Sequence, residues 1–160
     1  MAGRLLSELK QTKPFRHRED EAYLNLIRTA DHLRRRVAEL LKPHELSPAQ
    51  YNVLRILRGA LAEGDERDHA RTCGDICGRL VTFEPDLTRL LDRLVKQHLV
   101  ERERDDRDRR VVRSRITAKG LDVLTRLDGA VTEAHRHSLG RLGEERLLQL
   151  IDLLEDVRAS

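Results

Sequence analysis

The apolar spacing of this chain changes period twice between Gln97 and Thr117, and that limits the folds open to it. Before the change, Leu87, Leu90/Leu91 and Leu94 recur on one face of a helix running from Pro85 to about Gln97. Asp86, Arg89, Arg93 and Lys96 occupy its opposite face. After the change, Leu121, Val123/Leu124, Leu127 and Val131 mark a second helix, from about Ala118 to the late 130s. Between them, Leu99–Arg104 and Val111–Ile116 are short extended runs around a charged tip, Asp105–Arg110, which together read as a β-hairpin.

The rest of the chain is helical in pattern. Residues 2–11 predict a short helix ended by Pro14, with Leu5, Leu6 and Leu9 as its stripe. Glu19–Leu41 places Ala22/Tyr23, Leu26/Ile27, Ala30, Leu33, Val37 and Leu40/Leu41 along one face and stops at Pro43. Ser47-Pro48-Ala49-Gln50 has the form of a capping box with proline in the first turn, and opens a helix through Val53, Leu54 and Leu57 to about Leu61. Residues 62–71 lack a large apolar side chain and read as a solvated loop, before a short helix at Cys73–Leu80. Gly140 and Gly143 frame a turn, and the final helix carries Leu147/Leu148, Leu150/Ile151, Leu153/Leu154 and Val157, too wide an apolar surface for a single contact. Aromatic residues are 2% of the chain against 28 leucines, which favours a mainly α fold and disfavours base stacking on single strands.

Charge is distributed unevenly. The net charge is +3, yet residues 89–115 alone hold ten Lys/Arg against six acids, and residues 1–18 hold five against one. The remainder is acidic. Such concentration is the footprint of polyanion binding. No apolar run approaches a membrane span, the first residues form no signal peptide, and Cys73 and Cys77 make no disulfide framework, so a cytoplasmic location is expected.

Two short helices followed by an arginine-rich hairpin are the order of a winged helix-turn-helix. The second helix presents Arg89 and Arg93, four apart, to a major groove, with Asp86, Thr88 and Lys96 beside them. The hairpin tip, with Arg107, Asp108, Arg109 and Arg110, projects far enough to reach the adjacent minor groove. The long helices on either side exceed the needs of a reading head. The expectation is a single domain over 1–160, mainly α with a small β-hairpin wing: a winged helix-turn-helix DNA-binding region at 46–117 flanked by dimerisation helices at 19–45 and 118–158. A homodimer would match a palindromic operator in double-stranded DNA.

These segments resemble the MarR-type regulators of bacteria and archaea. The resemblance runs through Leu46-Ser47-Pro48-Ala49-Gln50-Tyr51, Thr88–Leu94, Leu99-Val100-Glu101-Arg102, Asp108-Arg109-Arg110 and Ile116-Thr117-x-x-Gly120, in register. It implies a homodimer with interleaved terminal helices, a ligand-responsive repressor, and a crevice for small phenolic or lipophilic effectors. By position, Arg110 would be the minor-groove arginine and Asp108 the acid that orients wing arginines. Tyr23, Arg28, His32, Tyr51 and Arg55 are the polar or aromatic residues of the two helices expected to line the crevice. The chain departs from the family in Glu84-Pro85-Asp86, where Ser or Thr is frequent, in the longer 62–71 loop, and in lacking the cysteine that peroxide-sensing members carry on the first long helix. Asp86 is either a first-turn acid favoured by the helix dipole or an acceptor for a cytosine amine.

Other functions find less in the sequence. There is no glycine-rich phosphate loop, nucleophile elbow or His-Glu-x-x-His, so no enzyme and no cofactor is expected. Cys73 and Cys77 share a helix face with His69 one turn earlier, which admits a thiol-responsive regulator, but no fourth ligand completes a metal site. A winged-helix protein–protein module without DNA binding is the remaining alternative. Arginine at the wing tip argues against it, because protein interface cores are depleted of charge.

Overall fold

The computed structural model describes residues 4–63, 69–105 and 108–159. The chain divides into two compact units, Met1–Arg36 and Val37–Ser160. The first contains α1 (Arg4–Glu8) and most of α2 (Arg18–Leu41). α1 ends earlier than the sequence implied. The chain leaves it at Lys10, whose φ of 52° is left-handed, so the helix has stopped before Pro14 is reached. Glu8 Oε2 accepts from Arg28 Nε at 2.9 Å, an exposed ion pair between α1 and α2.

The second unit is α3 (Pro48–Ala60), β1 (Arg71–Thr72), α4 (Cys73–Arg79), α5 (Leu87–Lys96), β2 (Val100–Arg104), β3 (Val112–Ile116), α6 (Ala118–Leu139) and α7 (Glu144–Ala159). α3 begins as its sequence dictates. Ser47 Oγ accepts from Gln50 N at 3.2 Å while Gln50 Oε1 accepts from Ser47 N at 2.9 Å, satisfying two donors that the first turn would leave unpaired. α4 starts on a second such box, in which Thr72 and Asp75 exchange the same pair of bonds.

The solvated-loop reading of 62–71 fails at its C-terminal end. Arg71 and Thr72 pair with Ser114 and Arg113, adding a third strand to the hairpin in the antiparallel order β1-β3-β2. Ala70 and Arg71 are buried. Residues 64–68 of that loop lie outside the described residues. In the hairpin itself Val100 faces Ile116, Arg102 faces Ser114 and Arg104 faces Val112.

One apolar cluster holds this unit together. Val53, Leu54 and Leu57 of α3, Ile76 of α4, Leu91 and Leu94 of α5, Val100 of β2 and Leu124 of α6 are fully buried in it. α6 is fastened to the hairpin at its first turn. Thr117 Oγ1 accepts from Gly120 N and donates to the His98 carbonyl at 2.8 Å. A Cβ on Gly120 would collide with the Leu99 carbonyl oxygen and stand 2.7 Å from Ile116 Cγ1, so the close approach of α6 requires glycine there. α7 differs from the other long helices: it buries no residue, and Leu148, Ile151, Leu153 and Val157 are exposed. Among the described residues no helix is long and apolar enough to cross a membrane.

Candidate nucleic-acid interface

α5 is two-faced. Leu87, Leu90, Leu91 and Leu94 are buried, whereas Thr88, Arg89, Asp92, Arg93 and Lys96 are exposed. Its first turn starts at Asp86 rather than Pro85, because Asp86 Oδ1 accepts from Arg89 N at 3.2 Å and caps the helix. The cap occupies one carboxylate oxygen. The far end of α5 is closed from α6, where Lys119 Nζ donates to the Gln97 carbonyl at 2.9 Å.

The wing is built from charged side chains with assigned partners. Asp105 Oδ2 accepts from Arg113 Nε at 2.6 Å, and Glu103 Oε2 accepts from Arg115 Nη2 at 2.6 Å. Arg102 Nη1 donates to Asp92 Oδ1 at 2.6 Å, which ties β2 to α5. At the tip, Asp105 N donates to the Val111 carbonyl and Val111 N to the Asp108 carbonyl. Asp108 N donates to Asp105 Oδ1, and Asp108 Oδ1 accepts from Arg110 N at 3.0 Å. Asp108 therefore sets the backbone of Arg110. Asp106 and Arg107, the latter among the residues assigned to DNA from sequence, lie outside the described residues.

The basic residues of this region thus sort into two classes. Arg102, Arg113 and Arg115 are engaged in ion pairs inside the reading head. Arg89, Arg93 and Lys96 on α5, and Arg104, Arg109 and Arg110 on the hairpin, are exposed, and no ion pair or side-chain hydrogen bond engages them among the described residues. Six cations without a partner among the described residues, on one helix face and one hairpin end, can receive phosphates or base edges without breaking a described pair.

The other sequence candidates fall elsewhere. In the first unit Tyr23 and His32 are exposed on α2, and Arg28 is held by Glu8. In the second unit Tyr51 is buried in α3 and Arg55 exposed one turn on. Burial pushes the Tyr51 hydroxyl above the ordinary tyrosine range, and the Arg55 charge draws it partly back. Sequence reasoning missed a neighbour of this pair: Arg58 donates from both terminal nitrogens to Asp128 of α6, at 2.6 and 3.0 Å. No spacing rule connects residues so far apart in the chain. Cys73 is half-buried and Cys77 exposed, both as free thiols. No group of three or more His, Cys, Asp or Glu among the described residues could hold a metal ion.

Residues 46–120 match the family model of a winged helix DNA-binding domain. A MarR transcription factor from Planctomyces limnophilus is 39% identical in its solved structure, with 88% of this chain and 98% of that one covered and a TM-score of 0.66. A mutant MarR from Escherichia coli, complexed with operator DNA, is 27% identical over 87% of this chain and 95% of its own, with a TM-score of 0.74. The homoprotocatechuate degradative operon repressor of Escherichia coli is 29% identical over 117 residues, 73% of this chain and 74% of the repressor.

Proposed function

The chain belongs to the MarR family and is a DNA-binding transcriptional regulator rather than an enzyme, and on that footing we propose that it is a ligand-responsive repressor that binds a palindromic operator as a homodimer in the cytoplasm. The observation that carries this reading is the sorting of the arginines. A wing that served only to complete a fold would pair its cations as Arg102, Arg113 and Arg115 are paired, whereas six exposed cations on α5 and the hairpin have no partner among the described residues.

In this reading Arg89 and Arg93 meet base edges or phosphates in the major groove, Lys96 meets the backbone, and Arg109 and Arg110 enter the minor groove. Thr88 and Arg107 add polar and basic contacts, Asp108 holds the tip in shape, and Asp86 acts as the helix cap. Dimerisation is supported by the apolar side chains that α7 leaves in water, since surfaces of that kind mark association sites. The relative that represses homoprotocatechuate degradation supports a small organic effector, and a phenolic or lipophilic one is the class the sequence resemblance implies.

The direct test is a gel shift on fragments of the source genome, with sedimentation of the free protein. A discrete shift on a fragment containing an inverted repeat, by a protein that sediments as a dimer at micromolar concentration, is expected. Binding that is indifferent to fragment sequence, or a stable folded monomer, would overturn the reading.

A further inference from the structure

The turn between α4 and α5 carries the two most exposed large apolar side chains among the described residues: Val81, 84% exposed, and Phe83, 87%. An exposed apolar residue alone is ordinary, but these stand two apart in a segment fixed at both ends. Val81 N donates to Asn52 Oδ1 of α3 at 3.0 Å, and Asp86 caps α5 three residues after Phe83. The chain has only two phenylalanines, and Phe15, the other, is less exposed. The turn leads directly into the N-terminal end of the recognition helix, the part of a helix-turn-helix that comes closest to base edges.

Charge narrows what Phe83 can meet there. Glu84 and Asp86 follow it, so this segment is unsuited to clamping phosphate. The groove floor offers one apolar group, the 5-methyl of thymine, and phenylalanine is among the side chains that contact it. We propose that Phe83 is a specificity residue that packs on a thymine methyl in each operator half-site, with Val81 flanking it. The inference rests on the operator-binding reading above and adds a base preference to it.

The experiment selects an operator from a pool of random duplexes with the full-length protein. Each thymine and its symmetry mate is then replaced by deoxyuridine, which pairs identically and lacks only the methyl. Burying one methyl-sized group corresponds to about fourfold in affinity, so a symmetric pair should cost wild type about fifteenfold. Phe83→Ala should bind the thymine operator about fifteenfold more weakly and be indifferent to that replacement, while Phe83→Leu keeps most of the affinity and the response. The proposal is overturned if no thymine methyl matters to wild type, or if Phe83→Ala responds to uracil as wild type does. It is equally overturned if Phe83→Ala weakens operator and random DNA alike, or changes the oligomeric state, which would assign the residue to a subunit interface. Selection that enriches no sequence overturns operator binding itself, and this inference with it, a failure distinct from the others because wild type alone reveals it.

Discussion

Asp92 on α5 and Arg102 on β2 are joined by a 2.6 Å hydrogen bond between Oδ1 and Nη1, so the helix proposed to enter the major groove and the strand that carries the wing are fastened to each other. Asp92 lies between Arg89 and Arg93 in sequence, yet it pairs with neither of them. Both the reading helix and the wing must meet DNA in a fixed relation for one to reinforce the other.

Asp92→Ala should therefore separate affinity from specificity. The substitution frees the wing and also deletes an acid from the surface proposed to face DNA. Binding to random duplex should strengthen by about threefold, while operator affinity falls by about as much, so the ratio between them drops by about tenfold. Because Asp92 is more than half exposed, the stability change should stay below about 1 kcal/mol. Fluorescence anisotropy on both duplexes at one salt concentration, with urea unfolding, checks each part. A loss of binding equal on both DNAs would show that the pair does not set the relation of wing to helix.

Gly120 supplies a stability test. Its α-carbon lies against the Leu99 carbonyl and Ile116, with no room for a methyl group. Gly120→Ala should cost about 1–3 kcal/mol, the range for overpacking, despite the better helix propensity of alanine. At Gly129, in the middle of the same helix, nothing lies within 4 Å of the added Cβ, and the same substitution should stabilise by roughly 0.5–1 kcal/mol. Denaturant midpoints of the two variants should move in opposite directions.

Arg58 and Asp128 supply a pH dependence. The hydrogen bonds from Arg58 hold the Asp128 carboxyl below its ordinary range, and the nearby Arg58 charge adds to this. A carboxylate depressed in the folded state contributes stability above its unfolded value, about 4, and that contribution is lost as pH falls through the folded value. The Asp128 side chain is 44% exposed, so screening keeps the gain to less than about 1 kcal/mol. Asp128→Asn should be less stable than wild type by a constant amount from pH 7 to about 5, and the difference should begin to shrink below about pH 4 and vanish once pH has passed the depressed folded value. A difference that does not shrink at all as pH falls below about 4 would mean that the charge of Asp128 is not what stabilises.

What the sequence disclosed was mostly local. The capping box at Ser47 and Gln50, the leucine face of α5 and the two runs of the hairpin are written in neighbouring residues. Thr72 and Asp75 carry the same kind of signal as Ser47 and Gln50, just beyond the 62–71 segment. β1 had no signal to offer: two residues cannot alternate, and their partners Arg113 and Ser114 are distant in the chain. The division of the arginines was equally hidden, since which cations are engaged depends on strand register and on the packing of β2 against α5. Ile116-Thr117-x-x-Gly120 was legible as a pattern, but the carbonyl that forbids a side chain at Gly120 belongs to Leu99, across the hairpin.

The two reading elements should fail in different ways. Arg110 sits on the wing tip, where Asp108 fixes its backbone, and the minor groove distinguishes little beyond A·T from G·C. Arg110→Ala should weaken operator and random DNA together and leave the preferred sequence nearly unchanged. If about four of the six unpaired cations per subunit meet phosphate, a dimer neutralises about eight. The log–log salt slope of wild type should then be near −7, and one lost contact per subunit should make it shallower by about 2. Arg89 lies in the first turn of α5, where its exposed side chain can reach a guanine edge. Arg89→Ala should lose about 1–3 kcal/mol of discrimination at one base pair, after which replacing that guanine costs the variant almost nothing. Both side chains are exposed, so neither substitution should shift unfolding by more than about 0.5 kcal/mol. If Arg110→Ala unfolded the domain while binding persisted, Arg110 would be a structural residue and the wing would not be the minor-groove element. If Arg89→Ala lowered all binding equally, α5 would be gripping the backbone, and the sequence preference would have to reside elsewhere in the reading head.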